Sequence, residues 1–171
     1  FKKFEIEVKQ FFTSSFEKDV KKFLEDNGLV IIENDRRTVP KHELDVYIPS
    51  HKIAIECNGL YWHSEHFKNA SYHSKKLNDC NQCGIRLIQI LENEWLEKKD
   101  IVKRKLLSIL GKDESKKVYA RKCTTQLISS NEKRDFFDNN HIQGNGPSSI
   151  NVGLIHENEI VAVMGFIKER N

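Results

Sequence analysis

Residues 43–65 read ELDVYIPSHKIAIECNGLYWHSE. Leu44, Val46 and Ile48 alternate with Asp45 and Tyr47, the period-two pattern of a strand with one buried face. Pro49, Ser50 and His51 then turn the chain into a second apolar run, Ile53, Ala54 and Ile55. A hairpin accounts for the apolar residues but not for the acids. Asp45 and Glu56 stand at the inner ends of the two strands, where carboxylates are costly to bury unless something positive, such as a metal ion, lies between them. Adjacent strands run about 4.8 Å apart, so the two side chains can converge on one end of the sheet.

Each residue alone has an ordinary explanation. An Asp on the polar face of a strand is common, and His63 beside Tyr61 and Trp62 suits packing as well as chemistry. Glu56 is harder to explain, because it follows the apolar run directly. Together they match the needs of phosphodiester hydrolysis, which takes a divalent ion and an activated water. Hard ions such as Mg²⁺ are held by one or two carboxylates plus waters. Asp45 and Glu56 are the candidate metal ligands, for Mg²⁺ or Mn²⁺. Glu17 reaches the same end if its helix packs on the sheet. His63 and His73 are the nearest groups able to change protonation near neutral pH.

Outward from the hairpin, FEKDVKKFLEDNG places Phe16, Val20, Phe23 and Leu24 on one face of a helix that Asn27-Gly28 stops. LVIIE, residues 29–33, predicts a short apolar strand, and NDRRTVPKH a polar loop presenting Arg36 and Arg37. A helix is expected at about 72–83, a buried strand at GIRLIQIL, and one helix over 94–110 ended by Gly111. KDESKK, residues 112–117, is charged and lacks large apolar side chains, so a domain boundary is placed between 112 and 113. Beyond it, VYARKCTTQLI predicts a strand and SNEKRDFFDNNH a helix capped by Ser130. QGNGPSS is a Gly-rich loop, and NVGLIHENEIVAVMGFIKE a hairpin turning at Glu157-Asn158.

The totals narrow the class. A chain of 171 residues holds one domain, or one plus a smaller piece. It starts at Phe1 and stops just after an apolar run, as a fragment of a longer protein would. No apolar run approaches the roughly 18–20 residues needed to cross a bilayer and no signal peptide is visible. The chain therefore reads as soluble and cytoplasmic, with no membrane partner. Cys57, Cys80, Cys83 and Cys123 show no framework spacing, which fits a reducing compartment. The formal net charge is +3, and residues 1–112 carry all of the excess, with 20 Lys and Arg against 17 acids. Such a balance is compatible with nucleic acid. The basic run Lys98, Lys99, Lys103, Arg104 and Lys105 is expected to be a solvated helix face.

Four blocks in order, SSFEKDVKKFL, ELDVYIP, KIAIECNGLYWHSE and YHSKKLNDCNQCGIRLIQILENEW, resemble the endonuclease domain shared by very-short-patch-repair endonucleases and a group of phage homing endonucleases. These belong to the restriction-endonuclease-like, or PD-(D/E)XK, superfamily. The resemblance spans about residues 13–110 and implies an α/β fold, a mixed sheet flanked by helices. It implies a metal-binding role for Asp45, a helix acid in Glu17, and a His near the attacking water in His63. His73 stands at another polar active-site position. Glu56 and Asn58 occupy the place of the superfamily's E-x-K acid and lysine, so the lysine is missing from the strand and Lys76 or His63 is left to supply its polarity. Zinc is not expected, because Leu60 stands where a cysteine ligand of the repair enzymes would be. The resemblance implies DNA contact by Arg36, Arg37, Asn58, Lys75 and Lys76, with Tyr61 and Trp62 available to wedge into a base stack.

Residues 113–171 resemble the opening of a GNAT-type acetyltransferase-like domain. They stop before the segment that would bind the cofactor, so this small α+β piece is expected to be accessory, gripping DNA with His141, Gln143 and the Gly144-Asn145-Gly146 loop. The expected activity is a Mg²⁺-dependent endonuclease acting on double-stranded DNA at a specific site, in the host-cell cytoplasm if phage-encoded. Mismatch-directed nicking and a catalytically dead DNA-binding module are the alternatives. Target sequence and oligomeric state are not encoded legibly.

Overall fold

A computed structural model describes residues 15–59 and 69–167, with side chains from residue 72 onward in the second stretch. Tyr61, Trp62 and His63 lie outside the described residues. The chain divides into two compact units, 1–97 and 98–171. The helix over 99–109, which the linker composition assigns to the first part, is grouped with the second.

In the first unit, helix α1 (Ser15–Asp26) buries Phe16, Val20 and Leu24 on one face. It ends in a Schellman motif: the Leu29 amide donates to the Leu24 carbonyl at 3.2 Å and the Gly28 amide to the Glu25 carbonyl at 2.8 Å, with Gly28 at φ +72°. That cap absorbs Leu29, so strand β1 runs Ile32–Asp35 rather than 29–33. It is an edge strand; Val30 and Ile32 remain exposed. Strand β2 (Leu44–Ile48), a 3-10 turn (Pro49–His51) and strand β3 (Ile53–Asn58) form the expected hairpin. Helix α2 (Asn69–Gln82) starts earlier than expected, and strand β4 (Arg86–Leu91) follows after a Gly84 cap of the same Schellman type. Strand order is β1-β2-β3-β4, with the first two pairings antiparallel and β3-β4 parallel. This is the mixed sheet flanked by helices expected of a restriction-endonuclease-like fold.

Register assigns the two faces. Tyr47 pairs with Ala54 and Val46 with Ile55, so Asp45, Tyr47, Ala54, Glu56 and Asn58 share one face and Val46, Ile48, Ile53, Ile55 and Cys57 the other. Helix α2 covers the first face through Cys80, which clusters with Val39, Leu44, Ala54 and Ile85. Helix α1 is tied to the second face by the Lys21–Glu33 ion pair at 2.6 Å, Glu33 being paired with Val46. GIRLIQIL is only partly buried, because β4 is the other edge; of its strand residues Ile90 alone falls below a tenth exposed. The single helix expected over 94–110 is two, α3 (Glu92–Glu97) and α4 (Lys99–Ile109), broken at Lys98 with φ −128° and ψ 34°. Trp95 is buried, packs edge-on to Phe23 and donates from Nε1 to Asp19 at 3.0 Å, fastening α3 to α1.

The second unit is an antiparallel sheet, order β5-β6-β7, from strands β5 (Thr124–Leu127), β6 (Ile150–His156) and β7 (Glu159–Phe166). The hairpin turns at Glu157 and Asn158, both at positive φ as a two-residue turn of the primed kind requires. Only residues 124–127 of VYARKCTTQLI are strand; Ala120–Lys122 form a 3-10 turn. Helix α5 (Ser130–Asn140) is capped by Ser129, one residue earlier than expected, because Ser129 and Glu132 close a complete capping box. The α5 carbonyls of Asp138 and Asn139 accept from Lys98 at 2.9 Å and Arg104 at 2.7 Å, so two cations of the basic run, Arg104 among its exposed members, stabilise a helix C-terminus. Leu127, Ile150, Met164 and Phe166 share one sheet face and are exposed.

Candidate active site

Continuing the β2-β3 register one step past Val46 and Ile55 sets Asp45 opposite Glu56. Like charges directly opposite across strands repel, so this end of the sheet is built at an energetic cost. Backbone groups offset part of it. The Cys57 amide donates to Asp45 Oδ2 at 2.9 Å, and the Asp45 amide lies 3.4 Å from Glu56 Oε1. The other Glu56 oxygen, Oε2, accepts from Lys76 Nζ, which also donates to the Glu43 carbonyl. Glu56 is 8% exposed and Lys76 4% exposed, so this ion pair is shielded from water.

The electrostatics follow from that enclosure. Burial, and then the charge of Asp45, push the Glu56 carboxyl up to about 7 against the lowering effect of Lys76. Asp45 is raised by burial, with Glu17 and Glu43 adding to the rise and the Cys57 amide and Lys76 opposing it. Burial foremost, then Asp45, Glu17 and Glu56, push the Cys57 thiol up, which keeps it an inert thiol. The negative charge of Glu17 is thus felt at Asp45 and Cys57. Its Oε1 pairs with Lys21 at 2.6 Å, and Lys21, buried, spans Glu17 and Glu33.

The remaining candidates are placed differently. His73 is half-buried on α2, one turn before Lys76, its ring 5.9 Å from that of Tyr72; among the described residues no hydrogen bond joins it to the acids. Asn58 is half-buried at the end of β3, on the Glu56 face. Arg36, Arg37 and Lys75 are exposed, and Arg36 donates to Glu43 Oε2 at 2.6 Å. Lys76 differs from the expectation of a DNA-contacting side chain: it points inward from α2 because its ammonium finds two oxygens there.

Several members escaped sequence inspection. Lys21 was visible as an i,i+4 partner of Glu17, but nothing local links either to Glu33. The pair of buried His42 Nε2 with half-buried Asp79 Oδ2 at 2.7 Å, fixing the 36–43 loop to α2, has no sequence signal.

Among the described residues no three His, Cys, Asp or Glu side chains are arranged to hold a metal ion. A Mg²⁺ site takes only one or two carboxylates, the rest being water and phosphate oxygen. The hard, all-oxygen pair of Asp45 and Glu56 fits that demand. No family model and no curated protein matches the chain. One solved structure, titled Homing Endonuclease I-Bth0305I Catalytic Domain, is similar to it at 27% sequence identity and a TM-score of 0.49, covering 60% of this chain and all of that one. No described helix is long and apolar enough to cross a membrane.

Proposed function

We propose that this chain is a metal-dependent DNA endonuclease that hydrolyses phosphodiester bonds of double-stranded DNA at a specific site, in the manner of a phage homing endonuclease. The observation that carries this is the facing pair of half-buried Asp45 and buried Glu56, two carboxylates held at one sheet end with the charge of Glu17 nearby. A fold needing only stability gains nothing from opposing two acids there. The four sequence blocks resembling the endonuclease domain point the same way.

Asp45 and Glu56 would hold Mg²⁺ or Mn²⁺, with Glu17 orienting water. When bound, the ion supplies polarisation of the scissile phosphate and a more acidic water. In the reaction the water oxygen forms a bond to phosphorus while the bond from phosphorus to one deoxyribose oxygen breaks. The proton lost by water goes to a base, and the leaving oxygen takes one up. His63 and His73 are assigned to these transfers. Exposed Arg37 and Lys75 meet backbone phosphates, and Tyr61 and Trp62 the bases. Residues 113–171 add grip.

The test is incubation of supercoiled plasmids carrying phage genomic fragments with wild type and Asp45→Ala, with and without Mg²⁺. Metal-dependent linear product from wild type alone is expected. Nicked product alone would favour mismatch-directed nicking, and binding without cleavage at any metal concentration would reduce the chain to a DNA-binding module.

A further inference from the structure

Position 58 offers an amide where a strand-borne cation would sit beside Glu56, yet Glu56 does not lack a cation. We propose that Lys76 is the positioning residue of the site: helix α2 delivers an ammonium that fixes the Glu56 carboxylate beside Asp45, a task a lysine at position 58 could perform from the strand. The inference rests on the endonuclease reading of the carboxylate pair.

A lysine 4% exposed is a costly residue unless its charge is matched. Lys76 Nζ is matched by Glu56 Oε2 from β3 and the Glu43 carbonyl just before β2, so one ammonium clamps both arms of the hairpin at the end where the acids meet. Cys80, one turn further along α2, is fully buried in the cluster against Ala54 and Ile85, which anchors the helix from which Lys76 reaches. Its fixed placement separates it from exposed Lys75 on the same helix. Without the ammonium, Glu56 Oε2 loses the cation that pairs with it among the described residues and faces Asp45 across the ladder, and the pair loses the support that holds two carboxylates ready to share one divalent cation. Asn58 shares a face with Glu56 two residues along β3, within reach of a lysine side chain.

Four proteins decide it: wild type, Lys76→Met, Lys76→Arg and the double variant Asn58→Lys with Lys76→Met. Calorimetric Ca²⁺ binding, without DNA, should weaken about 10- to 100-fold in Lys76→Met, the usual consequence of losing a ligand's supporting partner. The cleavage kcat should fall by a similar factor with KM for DNA unchanged. Lys76→Arg should keep part of both, and Asn58→Lys should restore part of both. The ¹³C carboxyl resonance of Glu56 should move in Lys76→Met and return in the double variant, a readout independent of cleavage. A rise in KM with kcat and Ca²⁺ binding intact would overturn the proposal in favour of direct DNA contact. Loss of folded structure without rescue by Asn58→Lys or Lys76→Arg would overturn it in favour of a purely structural clamp. Failure of wild type itself to cleave or bind Ca²⁺ would instead remove the endonuclease reading, and the Glu56 resonance would still report whether Lys76 holds that carboxylate.

Discussion

Two lysines, one in each unit, are equally buried at 4% exposure and differ in what they bind. Lys76 donates to a carboxylate that already faces another carboxylate. Lys133 donates to neutral oxygens, the Gly146 carbonyl and the Ser148 hydroxyl, and Ser148 passes the chain of bonds to Asn151. The second arrangement pins a Gly-rich loop onto α5 and solvates the ammonium with neutral oxygens, bringing no carboxylate to it. The first sets two carboxylates against one ammonium, a surplus of negative charge at one sheet end that a divalent cation would balance. Burial of a lysine therefore says little about function; the charge of its partners says more.

Several changes would break or sharpen that contrast. The largest effect belongs to Asp45→Ala, which should cut metal-dependent cleavage by about 1,000-fold or more, several kcal/mol of barrier at 1.36 kcal/mol per tenfold. Lys133→Met should leave cleavage within about twofold, which a plasmid assay on both variants would show. Next is the pH dependence of the metal-free protein. Glu56 titrates near 7 when folded against 4.5 as a free side chain, so between those values the native state binds more protons than the unfolded one and stability falls as pH rises. The loss over that window is about 3 kcal/mol. Denaturant titrations from pH 4 to 8 should show it, and Glu56→Gln should reduce it to the part contributed by Asp45, which is raised in the same sense. Lys133→Met should destabilise by about 2 kcal/mol through the stranded carbonyl and hydroxyl, with no change in that pH slope. The smallest effect is Ser129→Ala, which opens the capping box of α5 and should cost about 1 kcal/mol in chemical denaturation.

Much of the first unit was legible in the sequence. Strand alternation in LDVYI and the turn chemistry of Pro49-Ser50-His51 specify the hairpin, and that alternation alone puts Asp45 on the face opposite Val46 and Ile48. The hairpin pattern also brings Glu56 to the same sheet end, and the register sharpens that to a directly opposite pair. Where the sequence misled, tertiary context had overridden local signal. The Schellman cap at Gly28 took Leu29 from β1, edge position left GIRLIQIL half-exposed, and the irregular backbone at Lys98 split one periodic helix into two. Lys76 stood open between DNA contact and the place of the missing strand lysine, because its partners lie 20 and 33 residues away. Ion pairs of that span leave no local trace, and the same holds for Lys21 with Glu33 and His42 with Asp79.

The central claim is that Asp45 and Glu56 form a divalent-cation site. Mn²⁺ binding followed by electron paramagnetic resonance tests it without DNA or turnover. Wild type should bind Mn²⁺, Mg²⁺ should compete it off, and Asp45→Ala should abolish the binding while remaining folded by circular dichroism. Mn²⁺ binding undiminished in folded Asp45→Ala, or absent from wild type, would contradict it.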